Sequence, residues 1–127
     1  MLAIQTSEDI VRMRRLVREH AIAQGFTLVD QTKIVTAASE LARNILNYAG
    51  QGDMTIEPVV NGAKKGLKLV FSDKGPGIPD IELAMKDGYT TGGGMGLGLG
   101  GSKRLASEFH IDSQVGVGTR ISLTRWK

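Results

Sequence analysis

Two glycine-studded segments constrain this chain more than anything else in it: Asp73-Lys74-Gly75-Pro76-Gly77, and about two dozen residues later Gly94-Met95-Gly96-Leu97-Gly98-Leu99. The first closes the apolar run Leu67 to Phe71, so a strand must stop at an acid and turn at once. The second leads into the helix-compatible Ser102-Lys103-Arg104-Leu105. Glycine admits positive φ and the close approach of another group. A carboxylate at a strand end can receive the amino group of a base, and a glycine loop opening a helix can present backbone N–H groups to phosphates. Taken alone, Asp73 with Gly-Pro-Gly is equally a strand-ending turn.

The rest of the chain reads as alternating helical and strand signals. Leu2 to Gln5 is a short strand. Thr6 or Ser7 caps a helix, with Asp9 as capping-box partner, that runs to about Gln24 and stops at Gly25. Ile10, Met13, Val17 and Ala21 form its buried stripe. A second helix runs from near Val29 to Tyr48 with Gly50 beyond it, and Ile34, Ala37, Ala38, Leu41, Ile45 and Leu46 on its apolar face. Met54 to Val60 and Leu67 to Phe71 form an antiparallel hairpin with about five or six residues at the turn, Leu67, Leu69 and Phe71 sharing a face. Ile81 to Asp87 is a short helix, Gly88 to Gly94 a loop, and Leu97 to Ser107 a helix. Phe109 to Ser113 and Thr119 to Trp126 are the last strands, joined through Gly116-Val117-Gly118. Helices segregated from a hairpin-rich sheet predict an α+β fold, a two-layer α/β sandwich whose mixed, mostly antiparallel sheet has helices on one face. Residues 1–127 are expected to make one domain.

Composition narrows the function. Without cysteine there is no disulfide, thiolate nucleophile or cysteine–zinc site, which fits a reducing compartment. No apolar stretch reaches the ~18 residues of a membrane helix, and Met1-Leu2-Ala3-Ile4-Gln5 turns polar too soon for a signal peptide; the expectation is a cytoplasmic protein with no membrane partner. Net charge is +3, with Arg12, Arg14, Arg15 and Arg18 on one helix and Arg120, Arg125 and Lys127 near the C-terminal end. Aromatics make up only 5% of the chain, which favours a solvated face or an acidic protein partner over nucleic acid.

Glu40 and Asn44 stand four apart, one turn on one helix face. Asn44 offers an oxygen to Mg²⁺, and Glu40 could orient or deprotonate a hydroxyl; such pairs are also common on helix surfaces. Gly96-Leu97-Gly98-Leu99-Gly100-Gly101 satisfies G-x-G-x-x-G, but Gly88 to Gly92 is no buried strand, so a Rossmann loop is excluded. No Gly-Lys-Ser/Thr exists for a Walker A loop. His20 and His110 belong to no metal spacing and read as structural.

Together, Glu40-x-x-x-Asn44, Asp73-x-Gly75-x-Gly77, Gly94-x-Gly96-Leu97-Gly98-Leu99 and Gly118-Thr119 fall in the order and spacing of the N, G1 and G2 boxes and final threonine of the GHKL ATPase superfamily. The chain resembles that superfamily along nearly its whole length. Ser39 to Ile45, Asp87 to Gly94 and Lys103-Arg104-Leu105 are similar to the RsbT-type serine/threonine kinases, relatives of anti-sigma factors. The resemblance implies a Bergerat-fold site for ATP and Mg²⁺. Asp73 would accept the adenine amino group, supported by Thr119 through water, and Asn44 would hold the metal. Gly75 and Gly77 would let base and ribose approach. Gly94, Gly96 and Gly98, with Leu97 and Leu99 between and after them, would wrap the phosphates. Glu40 would be the catalytic carboxylate. One position departs from the pattern: relatives among the histidine kinases often carry a lysine or arginine near Asn47, which supplies no charge here, so Lys86, Lys103 and Arg104 are the candidates for the cation at the γ-phosphate. The resemblance further implies a STAS-domain antagonist protein as substrate, a PP2C-type phosphatase or sigma-pathway regulator as a further partner, and partner switching in a bacterial stress pathway. A nucleotide-gated binding module without phosphotransfer is the alternative.

Overall fold

A computed structural model describes residues 1–78 and 98–127. The expected helix Ile81–Asp87, the loop Gly88–Gly94, and Lys86, Gly94, Gly96 and Leu97 lie outside the described residues. In chain order the elements are β1 (Leu2–Ile4), α1 (Ser7–Ala23), α2 (Leu28–Asn44), a π-helical turn (Ile45–Ala49), β2 (Gly52–Asn61), β3 (Lys64–Asp73), α3 (Gly98–Arg104), β4 (Glu108–Gln114) and β5 (Gly118–Trp126).

α1 starts where its cap requires. Thr6 Oγ1 accepts the Asp9 N–H at 3.3 Å, and Asp9 Oδ2 accepts the N–H groups of Gln5 and Thr6 at 2.9 and 3.1 Å. The Gln5 N–H foremost, with Thr6 and Arg12, holds the Asp9 carboxyl below its ordinary range. α1 ends on Gly25 at φ +82°, where the Phe26 N–H reaches Ala21 O and the Gly25 N–H reaches Ile22 O, the paired bonds of a Schellman stop. Ile10, Met13, Val17 and Ala21 are all buried, as their spacing predicts. α2 packs between α1 and α3, so burial spreads from Ile34 right round to Ser39, Glu40 and Ala42.

The sheet order is β1-β2-β3-β5-β4, and every pairing among the described residues is antiparallel. The β2–β3 turn is shorter than expected. Asn61 pairs with Lys64, leaving only Gly62 and Ala63 between the strands; Gly62 sits at φ +62°, the glycine-first geometry that lets a two-residue loop follow the strand twist. α3 is also shorter than expected, because the Ser107 N–H turns away to Thr124 O at 2.8 Å and joins the sheet edge.

Pairing register sets the faces. Met54, Phe71 and Ile121 lie in one cross-strand row, and Ile56, Leu69, Leu123 and Phe109 in the next. Met54, Leu69, Phe71, Ile121 and Leu123 are buried against the helices, with Ile56 and Phe109 partly buried beside them. The alternate row Asp53, Ser72, Arg120 and Asp112 lies on the opposite face, as expected of an antiparallel sheet covered on one side.

Candidate active site

The helix-facing rows stop being apolar at one end of the sheet. On β3 the row Leu67, Leu69, Phe71 continues to Asp73; on β5 Leu123 and Ile121 lead to Thr119; on β4 Phe109 and Ile111 lead to Ser113. Asp73 pairs with Thr119 across β5, and Thr119 with Ser113 across β4. Three polar side chains are thus delivered side by side by strand alternation alone. Asp73 Oδ1 accepts the Gly75 N–H at 2.9 Å, which fixes the turn after the strand. Ser113 Oγ accepts the Ile78 N–H at 2.8 Å and lies 2.8 Å from Thr119 Oγ1. The Gly116 N–H donates to Pro76 O at 2.9 Å, so the turn after Asp73 is fastened to the β4–β5 hairpin at two points.

α2 arrives at the same end. A Cβ on Gly52 would lie 2.9 Å from Ile45 Cγ2 and 3.2 Å from Asp73 Cβ; the bare backbone of β2 is what lets the end of α2 sit against the strand that carries the acid. Asn44, directly before Ile45, is half-buried. Glu40, one turn earlier, is 7% exposed, and its Oε1 accepts Arg43 Nη1 at 2.9 Å. The sequence predicts an α-helix through Tyr48, but after Asn44 the Gly50 N–H reaches back to Ile45 O at 2.9 Å, closing a wider turn. A π-turn inserts one residue and re-aims the chain beyond it; such turns are frequent at functional sites. No propensity signal marks it.

Gly75 and Gly77 are required by the protein's own packing. A Cβ on Gly75 would lie 2.6 Å from Ala49 Cβ, and one on Gly77, at φ +79°, would strike the Gln114 carbonyl oxygen. Leu99 is buried in the core on α3, which packs against α2, and Gly98 is the first residue of α3. A hollow of about 310 Å³ at this end of the sheet is lined by Asp73 and Thr119 together with Ser72, Asp112 and Arg120 of the opposite face, and by neither Glu40 nor Asn44.

Two expectations for the basic residues divide. Arg14 and Arg15 are exposed, whereas Arg125 turns inward, donating to Leu105 O and to Asp30 Oδ1, each at 2.7 Å. His20 Nδ1 lies 2.8 Å from Leu16 O, a local structural bond. Among the described residues no three His, Cys, Asp or Glu side chains are grouped to hold a metal ion. No helix among them is long and apolar enough to cross a membrane.

Residues 29–127 match the family described as Histidine kinase-, DNA gyrase B-, and HSP90-like ATPase, and the chain belongs to that ATPase family. It is 53% identical over 123 residues to Serine/threonine-protein kinase RsbT of Bacillus subtilis, covering 97% of this chain and 92% of that protein. Identity to Anti-sigma F factor of Bacillus licheniformis is 30% over 106 residues, covering 78% of this chain and 71% of the factor. Among solved structures, the mycobacterial sensor histidine kinase MprB aligns over 94% of this chain and 93% of its own with TM-score 0.58 at 17% identity. The catalytic domain of histidine kinase ThkA aligns over 97% and 93% with TM-score 0.55 at 19% identity. These two likenesses support the fold, the α+β two-layer sandwich that the sequence predicts; the sheet, expected to be mixed and mostly antiparallel, is antiparallel at every pairing among the described residues.

Proposed function

We propose that this chain is an ATP-dependent serine/threonine protein kinase, acting on a STAS-domain antagonist protein in a bacterial partner-switching pathway. The observation that carries the reading is that Asp73, Thr119 and Ser113, at the polar end of the sheet's inner rows, stand beside the π-turn that directly follows Asn44. The 53% identity to RsbT supplies the reaction class.

In this reading Asp73 accepts the amino group of adenine, with Thr119 supporting it through water. The donor set suits a metal that arrives with phosphate: Asn44 contributes one amide oxygen, and Mg²⁺ prefers oxygen ligands and retains several waters. Mg²⁺ would neutralise charge on the phosphate chain. Gly98, with Gly94 and Gly96 before it, would border the phosphates. Phosphoryl transfer asks mainly for positioning and charge neutralisation. The acceptor hydroxyl oxygen bonds to the γ-phosphorus, the bond to the β-phosphate oxygen breaks, and the hydroxyl proton passes to Glu40. For that, Arg43 must release Glu40; its side chain is 52% exposed, so water can replace the bond. A PP2C-type phosphatase or sigma-pathway regulator would be the further partner, in the cytoplasm.

The 30% identity to an anti-sigma factor favours a second reading, a nucleotide-gated binding module without transfer. Incubation with γ-labelled ATP and candidate STAS-domain proteins separates the two. Label on a serine or threonine of the acceptor, abolished by Glu40→Ala, supports the kinase; nucleotide binding and acceptor binding without label supports the module.

A further inference from the structure

Ser113 is the member of the cluster to which the ATP reading gives no role, and its hydroxyl has the most partners. Its Oγ lies 2.8 Å from the Ile78 amide nitrogen, 2.8 Å from Thr119 Oγ1 and 3.3 Å from the Gly118 carbonyl oxygen. A serine hydroxyl has one proton and two lone pairs. The Ile78 N–H occupies one lone pair, so the proton can serve only one of the two remaining oxygens. Pointed at Thr119, it leaves Ser113 and Gly118 as two acceptors facing each other with no proton between them. Pointed at Gly118, it frees the second lone pair of Ser113 to receive the Thr119 hydroxyl proton, and all three contacts become hydrogen bonds. The fully satisfied arrangement is the more stable one, because an unmet partner in a partly buried cluster is costly.

The consequence falls on Thr119. Its proton is committed to Ser113, and its oxygen faces the site as an acceptor only. Asp73, its cross-strand neighbour, is an acceptor as well. A water that donates to both keeps its own lone pairs for a donor on the ligand. We infer that Ser113 is a positioning residue that orients the Thr119 hydroxyl and thereby makes the pocket select a base edge carrying an amino group over one carrying a carbonyl. The inference rests on the ATP reading and deepens it. A 6-amino purine donates into this pair of acceptors; a 6-oxo purine meets them oxygen to oxygen. The Ile78 bond has a second effect: it holds the turn after Asp73 against β4, so one hydroxyl fixes both the acid's turn and the threonine's rotor.

The test is the ratio of ITP to ATP dissociation constants in the full chain and in Ser113→Thr and Ser113→Val. The two replacements have the same shape on a strand, where β-branching is well tolerated, and differ in the hydroxyl. The expected result is a preference for ATP that Ser113→Thr keeps and Ser113→Val reduces by roughly tenfold, about the worth of one hydrogen bond, because the freed Thr119 proton can then meet a carbonyl. A merely structural role would weaken both nucleotides by the same factor; an unchanged ratio in Ser113→Val overturns the assignment. Ser113→Ala replaces Ser113→Val if the larger side chain unfolds the strand, with the same two outcomes. An unmodified chain that binds neither nucleotide overturns the ATP reading itself, whereas ATP binding with an insensitive ratio overturns only the role of Ser113.

Discussion

The strand half and the helix half of the candidate site are built by different means. Asp73, Thr119 and Ser113 are placed by strand alternation and locked by a web of bonds: Asp73 to the Gly75 N–H, Ser113 to the Ile78 N–H and Thr119, and the Gly116 N–H to Pro76. Glu40 and Asn44 are placed by one helix turn, and among the described residues Glu40 is held by one partner three residues away, the half-exposed Arg43. The strand half is preorganised, as a group that recognises a fixed ligand should be. The helix half can exchange partners, as the proposed proton acceptor of the transfer must.

The contrast is sharpest for Glu40→Ala. Phosphotransfer is expected to fall roughly 10²–10⁴-fold with nucleotide affinity nearly unchanged, measured by acceptor labelling beside a binding titration. Equal loss of both would put Glu40 in the structure instead. Asp73→Asn works the other way round: ATP affinity should drop by about 1.5–3 kcal/mol, the worth of a hydrogen bond to a charged group, read by calorimetric titration. Unchanged affinity would place the base elsewhere.

The third test concerns the far end of α2, where Asp30 bonds Arg125 at 2.7 Å. That hydrogen bond first, and the Arg125 charge with it, holds the Asp30 carboxyl below its ordinary value of 3.8. A lowered folded-state value means the pair's contribution is complete above that ordinary value and fades as pH falls through the lowered one. Asp30→Asn should cost about 1–3 kcal/mol near neutral pH, since it leaves part of the Arg125 guanidinium unmet, and the gap to the unmodified chain should close in acid. A gap independent of pH down to strong acid would contradict the pairing. The smallest effect belongs to Arg43→Ala, where an i,i+3 pair with one exposed partner is worth about 0–1 kcal/mol of stability. Thermal denaturation should hardly move, and transfer rate should hold or rise as Glu40 is released; a large rate loss would make Arg43 part of the reaction.

Where elements are periodic, the sequence is legible. Ile10, Met13, Val17 and Ala21 mark the buried stripe of α1, and Leu67, Leu69 and Phe71 the inner face of β3, because burial against a single neighbouring layer imposes the repeat directly. Asp73 is legible as the acid that closes the β3 row, whereas Thr119, expected from the family resemblance alone, stands beside it across β5. Three features are not legible. The π-turn at Ile45–Ala49 arises from packing against Gly52 and Gly75, a tertiary cause with no local signature. The two-residue β2–β3 turn is masked by Lys64 and Lys65, whose charge reads as loop although both extend the strand at its exposed end. Arg125 belongs to a basic C-terminal run, yet it faces inward because Asp30, 95 positions away, meets it there. Ser113 is readable in principle: it occupies the inner-face parity of β4 beyond Phe109 and Ile111, level with Thr119.

The most direct measurement is a crystal structure of the chain with Mg²⁺ and a non-hydrolysable ATP analogue. The expected result puts the adenine amino group in hydrogen-bond reach of Asp73, the metal on the Asn44 side-chain oxygen, and the γ-phosphate toward Glu40. A nucleotide seated on the open face beside Ser72 and Arg120, or one whose metal leaves Asn44 untouched, would contradict it.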